Sequence, residues 1–222
     1  LDIGAQSTRP GASEVGPEIE IKRLVPLIKE LKILHPEIPI SVDTYHHSVA
    51  EKVLNIGANL VNDVSGGRHD PEIYNVIADK GSSYVLTHSR GNSKTMDSLA
   101  IYSNVVQDVK NELSNQIDLA LSKGIKEEQI IIDPGIGFAK NVDQNLTLLR
   151  NLEEFVSMNY PVLIGASRKR FIGSVINESD PTKRIFGTAA VAARCVTAGV
   201  DILRVHDIKQ ISQVVIMTKS IN

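Results

Sequence analysis

Short apolar runs recur along this chain, with longer amphipathic stretches between them. The runs "LDI" at the start, "IPISVD" (38–43), "NLVND" (59–63), "SYVLTH" (83–88), "IIIDP" (130–134), "PVLIGAS" (161–167) and "DILRVH" (201–206) read as strands. The stretch 17–35, "PEIEIKRLVPLIKELKILH", predicts a helix. Pro17 suits a first turn, Glu18 and Glu20 favour the positive end of the helix dipole, and Ile21, Leu24, Leu27, Ile28 and Leu31 form one stripe. Similar patterns cover roughly 46–56, 71–79, 99–123, 143–157, 182–198 and 207–219. Gly57, Gly81, Gly124 and Gly199 stand where helices should stop before the next strand.

Strict strand–helix alternation predicts a parallel sheet with helices outside. Two folds compete, a (β/α)8 barrel and a doubly wound open sheet. The barrel is favoured because polar residues close nearly every strand: Asp43, Asn62 with Asp63, His88, Asp133, Ser167 with Lys169, and Arg204 with His206. A barrel brings such ends to one mouth, whereas an open sheet spreads them along an edge. No G-x-G-x-x-G follows the first strand, which removes the dinucleotide fingerprint. No Pro/Ser linker or charge block divides the 222 residues, so 1–222 reads as one domain.

Composition changes this picture mainly by exclusion. A net charge of −2 gives no case for nucleic acid or a membrane surface, and no apolar run approaches a transmembrane length. Cys195 is the only cysteine, so an internal disulfide is impossible and a reducing compartment is expected. No signal peptide is visible, and the chain opens inside the apolar "LDIG", as if cut through an element.

Each polar residue has an ordinary reading as well. Asp133 before Pro-Gly can be a turn former, Asp43 and Asn62 can cap helices, and the basic run "SRKR" around Lys169 can be a solvated face. His206 alone reads more readily as structural. His46, His47 and His69 lack metal-ligand spacing and read as surface residues. Convergence of several strand ends shifts the balance toward a ligand. Asp43 and Asp133 are acceptors, and a carboxylate facing two adjacent N–H donors binds them as a pair. A heterocycle with an amino-amidine edge fits them, and Arg9, Lys169, Arg204 and His206 supply charge for a phosphate group.

Six motifs in order, "LDIGAQSTRPGA", "SVDT", "VNDVSGG", "IIDPGIGFAKN", "GASRKRFIG" and "RVHD", together resemble the dihydropteroate synthase family along essentially the whole chain. The resemblance implies a (β/α)8 TIM barrel that joins 6-hydroxymethyl-7,8-dihydropterin diphosphate to 4-aminobenzoate in folate biosynthesis, with Mg2+, usually as a homodimer and as the target of sulfonamides. By motif, Asp43, Asn62, Asp133 and Lys169 would hold the pterin. Thr8, Arg9, Arg204 and His206 would bind diphosphate. Ser7, Thr8, Pro10, Phe138, Lys169 and Arg170 would border the 4-aminobenzoate. Asp133, Lys169, Arg204 and His206 would carry the chemistry. Diphosphate leaves as positive charge delocalises into the pterin, and the amine then attacks without a covalent enzyme intermediate.

Departures accompany the match. Ala5 and Gln6 stand where many relatives have Gly and Glu, Ile136 replaces a common phenylalanine, and Arg170 stands where others carry serine. The family's first strand, with the asparagine that ligates Mg2+, has no counterpart here, so Leu1 falls in the second strand and no metal ligand is expected within 1–222. "HSRG", "GFAK" and "SRKRFIG" resemble the fused fungal and plant forms, which implies upstream pterin-pathway domains in a longer chain. A cytoplasmic location is expected, or a mitochondrial one in a plant. The rivals are a folate-dependent methyltransferase on the same floor, a Schiff-base aldolase with Lys169 as nucleophile, and a pterin-binding module without activity.

Overall fold

The computed structural model describes residues 1–7 and 11–222. Seven short strands run parallel: β1 (Asp2–Gly4), β2 (Ser41–Asp43), β3 (Leu60–Asp63), β4 (Ser83–Thr87), β5 (Ile130–Asp133), β6 (Leu163–Ile164) and β7 (Ile202–Leu203). Strands β1 to β5 pair in chain order, β6 pairs with β7, and a bridge between Ile132 and Val162 joins the two groups. A doubly wound sheet reverses its strand order at a switch point. Here the order never reverses, as the barrel reading expects. Among the described residues no ladder joins β7 to β1. Arg204, just beyond β7, ion-pairs with Asp2 on β1 instead.

Helices fill the connections: α1 (Pro17–Leu34), α2 (His47–Leu54), α3 (Ile73–Lys80), α4 (Val105–Ser122), α5 (Val142–Arg150), α6 (Glu153–Val156), α7 (Arg170–Ile176), α8 (Ile185–Thr197) and α9 (Ile208–Ile221). All four glycines expected to end helices take positive φ. Three expectations differ from the structure. The helix expected from 99 starts at Val105, because the Asn104 side chain accepts from the backbone N–H groups of Val106 and Gln107 and fixes the cap there. The stretch 143–157 breaks into α5 and α6 around Asn151 and Leu152. The short α7 begins at Arg170, the last residue of the basic run that reads as a solvated face, where no helix is expected.

Period-two alternation sorts each strand into two faces. Val61, Tyr84, Leu86, Ile130, Ile132, Val162 and Ile164 belong to the buried cluster shared with the helices. Ile40 and Val42 join Leu24, Ile28, Val49 and Val53 beneath α1 and α2. Asp43, Asn62, Thr87, Asp133 and Arg204 take the other parity and point into the barrel. Asp63 and His88 share the parity of Val61 and Leu86, so they face the helix layer.

Candidate functional site

The "IIIDPG" turn shows how the mouth is built. Gly135 has φ +72°, and a Cβ there would lie 1.8 Å from the His88 carbonyl oxygen, so only glycine fits. Asp133 Oδ1 accepts from the Gly135 N–H at 2.7 Å. The turn-former reading is therefore correct for one carboxylate oxygen. Gly137 has φ +83°, and a Cβ there would lie 2.7 Å from Lys169 Cδ. The glycines let two loops close on each other over Asp133.

Lys169 is half-buried at that junction. Its ammonium donates to the Ile136 carbonyl and lies 4.2 Å from the Phe138 ring centre. The solvated-face reading of "SRKR" fails for Lys169 but holds for Arg170, which is exposed; buried Arg184 ties down the loop at the Arg168 carbonyl. Arg184 is itself buried and donates to the carbonyls of Arg168 (2.9 Å), Ser179 (2.6 Å) and Glu178 (3.0 Å). Burial lowers the Lys169 pKa to about 8, while Asp133 nearby pulls it back up.

Asp43 is buried at the end of β2, and burial pushes its pKa up to about 7 against the pull of Arg204. Arg204 Nη2 donates to Asp43 Oδ2 at 2.8 Å and its Nε donates to Asp2. Asp43 does not cap α2, whose N-cap is His46 with no side-chain bond. Asn62 is paired beside Asp43 in the ladder and is buried, yet its amide makes no hydrogen bond with another described residue. Asp133 is likewise buried, and burial raises its pKa while Lys169 pulls it down. His206 is held by Ser167, whose hydroxyl lies 2.9 Å from Nδ1 and 3.2 Å from the His206 backbone nitrogen.

One open cavity of ≈ 1070 Å³ collects Ser7, Asp43, Phe138, Lys169, Arg170, Arg204 and His206. Thr8, Arg9 and Pro10 lie outside the described residues. A second cavity of ≈ 330 Å³ adjoins it, sharing Ser7 and Phe138.

Two strand-end groups read as mouth residues do not serve it. Asp63 accepts from the Ser65 N–H (2.7 Å), the Gly67 N–H (2.8 Å) and the Tyr84 hydroxyl (2.7 Å). His88 lies between Lys140 Nζ at 2.9 Å and Glu112 Oε2 at 3.0 Å. The histidines read as surface groups differ among themselves. His47 binds Asp70 at 2.7 Å, whereas His46 packs against Tyr45 and His69 and lies 3.6 Å from buried Glu20.

Two residues escaped the sequence reading. Lys140, in "GFAKN", is buried and also donates to the carbonyls of Gly135 (3.1 Å) and Phe138 (3.0 Å). Glu20, taken only as a helix-dipole residue, is buried and accepts from Gln6 Nε2 at 2.9 Å, which anchors the start of the loop after β1. Burial raises its pKa to about 7. Glu20 stands four residues before Leu24 and eight before Ile28, the other buried residues of α1, and that spacing was the available signal.

Comparison with known proteins agrees with this geometry. The family described as "Pterin binding enzyme" matches residues 1–206. The chain is 45% identical to "Dihydropteroate synthase" of Synechocystis over 214 residues, covering 96% of this chain and 74% of that protein. It is 41% identical to "Folic acid synthesis protein fol1" of Pneumocystis carinii, covering 100% of this chain but 30% of that protein. The crystal structure of dihydropteroate synthase from Thermus thermophilus in complex with 4-aminobenzoate superposes with a TM-score of 0.91 at 39% identity, covering 100% of this chain and 84% of that one. A stand-alone and a longer relative thus match at similar identity.

Proposed function

The chain belongs to the dihydropteroate synthase family of pterin-binding enzymes, and we propose that its barrel mouth condenses 6-hydroxymethyl-7,8-dihydropterin diphosphate with 4-aminobenzoate. The observation that carries this reading is the convergence of Asp43, Lys169, Arg204 and His206, from three separate strand ends, on one cavity.

Asp43 lines the cavity, and Asn62 and Asp133, buried at the ends of β3 and β5 and not among its lining residues, complete the proposed floor of acceptors and one amide, complementary to the N–H edge of a pterin. In the reaction the C–O bond to diphosphate breaks, positive charge spreads into the pterin, and the aminobenzoate nitrogen forms the new C–N bond and loses a proton. Asp133 and Asp43 stabilise the developing cation. Arg204 and His206 stabilise the departing diphosphate, and they are held in place beforehand by Asp43, Asp2 and Ser167. Phe138 and Lys169 form one wall for the aminobenzoate ring, with Ser7 and Arg170 at its rim. Sulfonamides, which share the aniline ring, are proposed to compete there.

We also propose that Mg2+ accompanies the diphosphate. No group of three or more His, Cys, Asp or Glu side chains among the described residues could hold a metal ion. The described residues therefore do not make a metal site by themselves, and no step above is routed through one. A homodimer is proposed through the apolar surface of α7 to α9, where Val175, Phe186, Ile208, Ile216 and Met217 are exposed. A cytoplasmic setting is proposed from the single buried thiol of Cys195. Among the described residues no helix is long and apolar enough to cross a membrane.

The test is product formation from both substrates, with Arg204→Ala and His206→Ala alongside. Dihydropteroate should form, and both variants should weaken the diphosphate-bearing pterin more than its alcohol. Equal weakening of both ligands would move these residues from the diphosphate to the floor.

A further inference from the structure

Arg170 does not enter its cavity unencumbered. Its Nη2 donates to Asp97 Oδ1 at 2.8 Å and its Nη1 to Asp97 Oδ2 at 3.1 Å, so both terminal nitrogens are bound by one carboxylate. Arg170 lines the same cavity as Phe138 and Lys169. Asp97 comes from the loop after β4, in the 3-10 turn Met96–Leu99.

That loop holds Asp97 firmly. The Asn92 carboxamide oxygen accepts from the backbone N–H groups of Lys94 (3.0 Å) and Thr95 (3.2 Å), and Met96 is buried beneath. The loop also grips the opposite side of the mouth. The Gly11 N–H donates to the Ser93 carbonyl at 2.8 Å, and the Ser93 hydroxyl donates to the Ala12 carbonyl at 2.9 Å. The segment 91–99 thus spans from the loop after β1 to the residue after Lys169, and sets the Asp97 carboxylate on the exposed Arg170 guanidinium.

We propose that Asp97 is a specificity-determining residue, which occupies the guanidinium face that the substrate carboxylate must take. This rests on the assignment of Arg170 to the aminobenzoate site. The planar fork of arginine accepts one bidentate carboxylate across its terminal nitrogens, and the aminobenzoate carboxylate has the same shape and charge as that of Asp97. The existing pair is exposed at both ends, so exchange of one carboxylate for the other is open. A neutral ring ligand leaves the pair intact and gains nothing from Arg170. Asp97 therefore narrows the preference for a charged aminobenzoate over a neutral analogue.

The experiment compares 4-aminobenzoate with 4-aminobenzamide in the wild-type protein, Asp97→Asn, Asp97→Glu and the Arg170→Gln background. Asp97→Asn should lower the KM for 4-aminobenzoate by about two- to fivefold, the scale of one exposed ion pair. The inhibition constant for 4-aminobenzamide and the KM for the dihydropterin diphosphate should not move. Asp97→Glu should restore the wild-type values, and Asp97→Asn should have no effect once Arg170 is Gln. An unchanged KM in an active Asp97→Asn enzyme overturns the proposal. So does a fall that persists in the Arg170→Gln background, because Asp97 would then act only through its general field. Absence of product from the wild type overturns the assignment of the site itself.

Discussion

Two lysines flank Asp133, both with pKa values drawn down by burial, yet their surroundings differ in kind. Around Lys140 the protein supplies every partner. Its nitrogen faces His88 Nδ1 and two carbonyls, three acceptors that match the three hydrogens of an ammonium. His88 then presents an Nε2–H to Glu112, and Glu112 closes the chain on Arg90, which stacks over Tyr102 at 3.9 Å. Around Lys169, among the described residues, the protein supplies one carbonyl and the face of Phe138; both lysines line the larger cavity, but Lys140 is buried whereas Lys169 is only half-buried and opens on it. Buried charge satisfied from within is architecture. Buried charge left open to a cavity is a site waiting for a ligand's complementary groups.

The largest expected effect lies on the architectural side. Lys140→Met keeps the length of the side chain but strands His88 Nδ1 and two carbonyls. Breaking a buried charged network in this way costs about 3–5 kcal/mol, and denaturant unfolding measures it. A loss below about 1 kcal/mol would place Lys140 with the open groups instead.

A smaller effect follows from His88, whose pKa lies at about 3 because burial and the neighbouring Lys140 disfavour its charged form. Between that value and the ordinary 6.5 the unfolded chain binds the proton and the folded chain does not. His88 therefore makes the fold lose stability as pH falls below 6.5, by about 2 kcal/mol at pH 5. Asp43 and Glu20, both raised to about 7, act with the opposite sign in this range. The quantity to measure is therefore the difference in pH slope between wild type and His88→Gln. The variant should lack the acid loss, and parallel slopes would contradict the assignment.

The smallest effect is expected at the surface. Lys110 pairs with Glu154 at 2.6 Å in an exposed setting, and Lys110→Ala should cost no more than about 0.5 kcal/mol. A larger loss in thermal unfolding would mean that exposed pairs here carry weight that the comparison gives only to buried ones.

Much of this contrast is legible in the sequence. The alternation of runs predicts the barrel, and the polar ends of "SVD", "VND" and "IIID" locate the mouth. The same strand-end rule wrongly adds Asp63 and His88 to the mouth, because it ignores that adjacent strand residues face opposite ways, which separates Asn62 from Asp63 and turns His88 of "VLTH" toward the helices with Leu86. Lys140 and Glu20 are less legible. A lysine in a glycine loop and a glutamate in a first turn both have ordinary surface readings, and only the packing of Tyr102, Asn145 and Gln6 around them shows burial. Asp97 lies 73 residues from Arg170, in a loop with no periodic signal, so that pair appears only in three dimensions.

Asp133→Asn tests the central claim most directly, read by calorimetric titration with the dihydropterin diphosphate beside a thermal melt. The substitution preserves shape and the bond to Gly135 but replaces one acceptor with a donor facing a donor edge. Pterin affinity should fall by roughly 1.5–3 kcal/mol, about ten- to a hundredfold, while the melting temperature stays close to wild type. Unchanged affinity, or a loss of stability as large as that of Lys140→Met, would place Asp133 with the architecture and contradict the account.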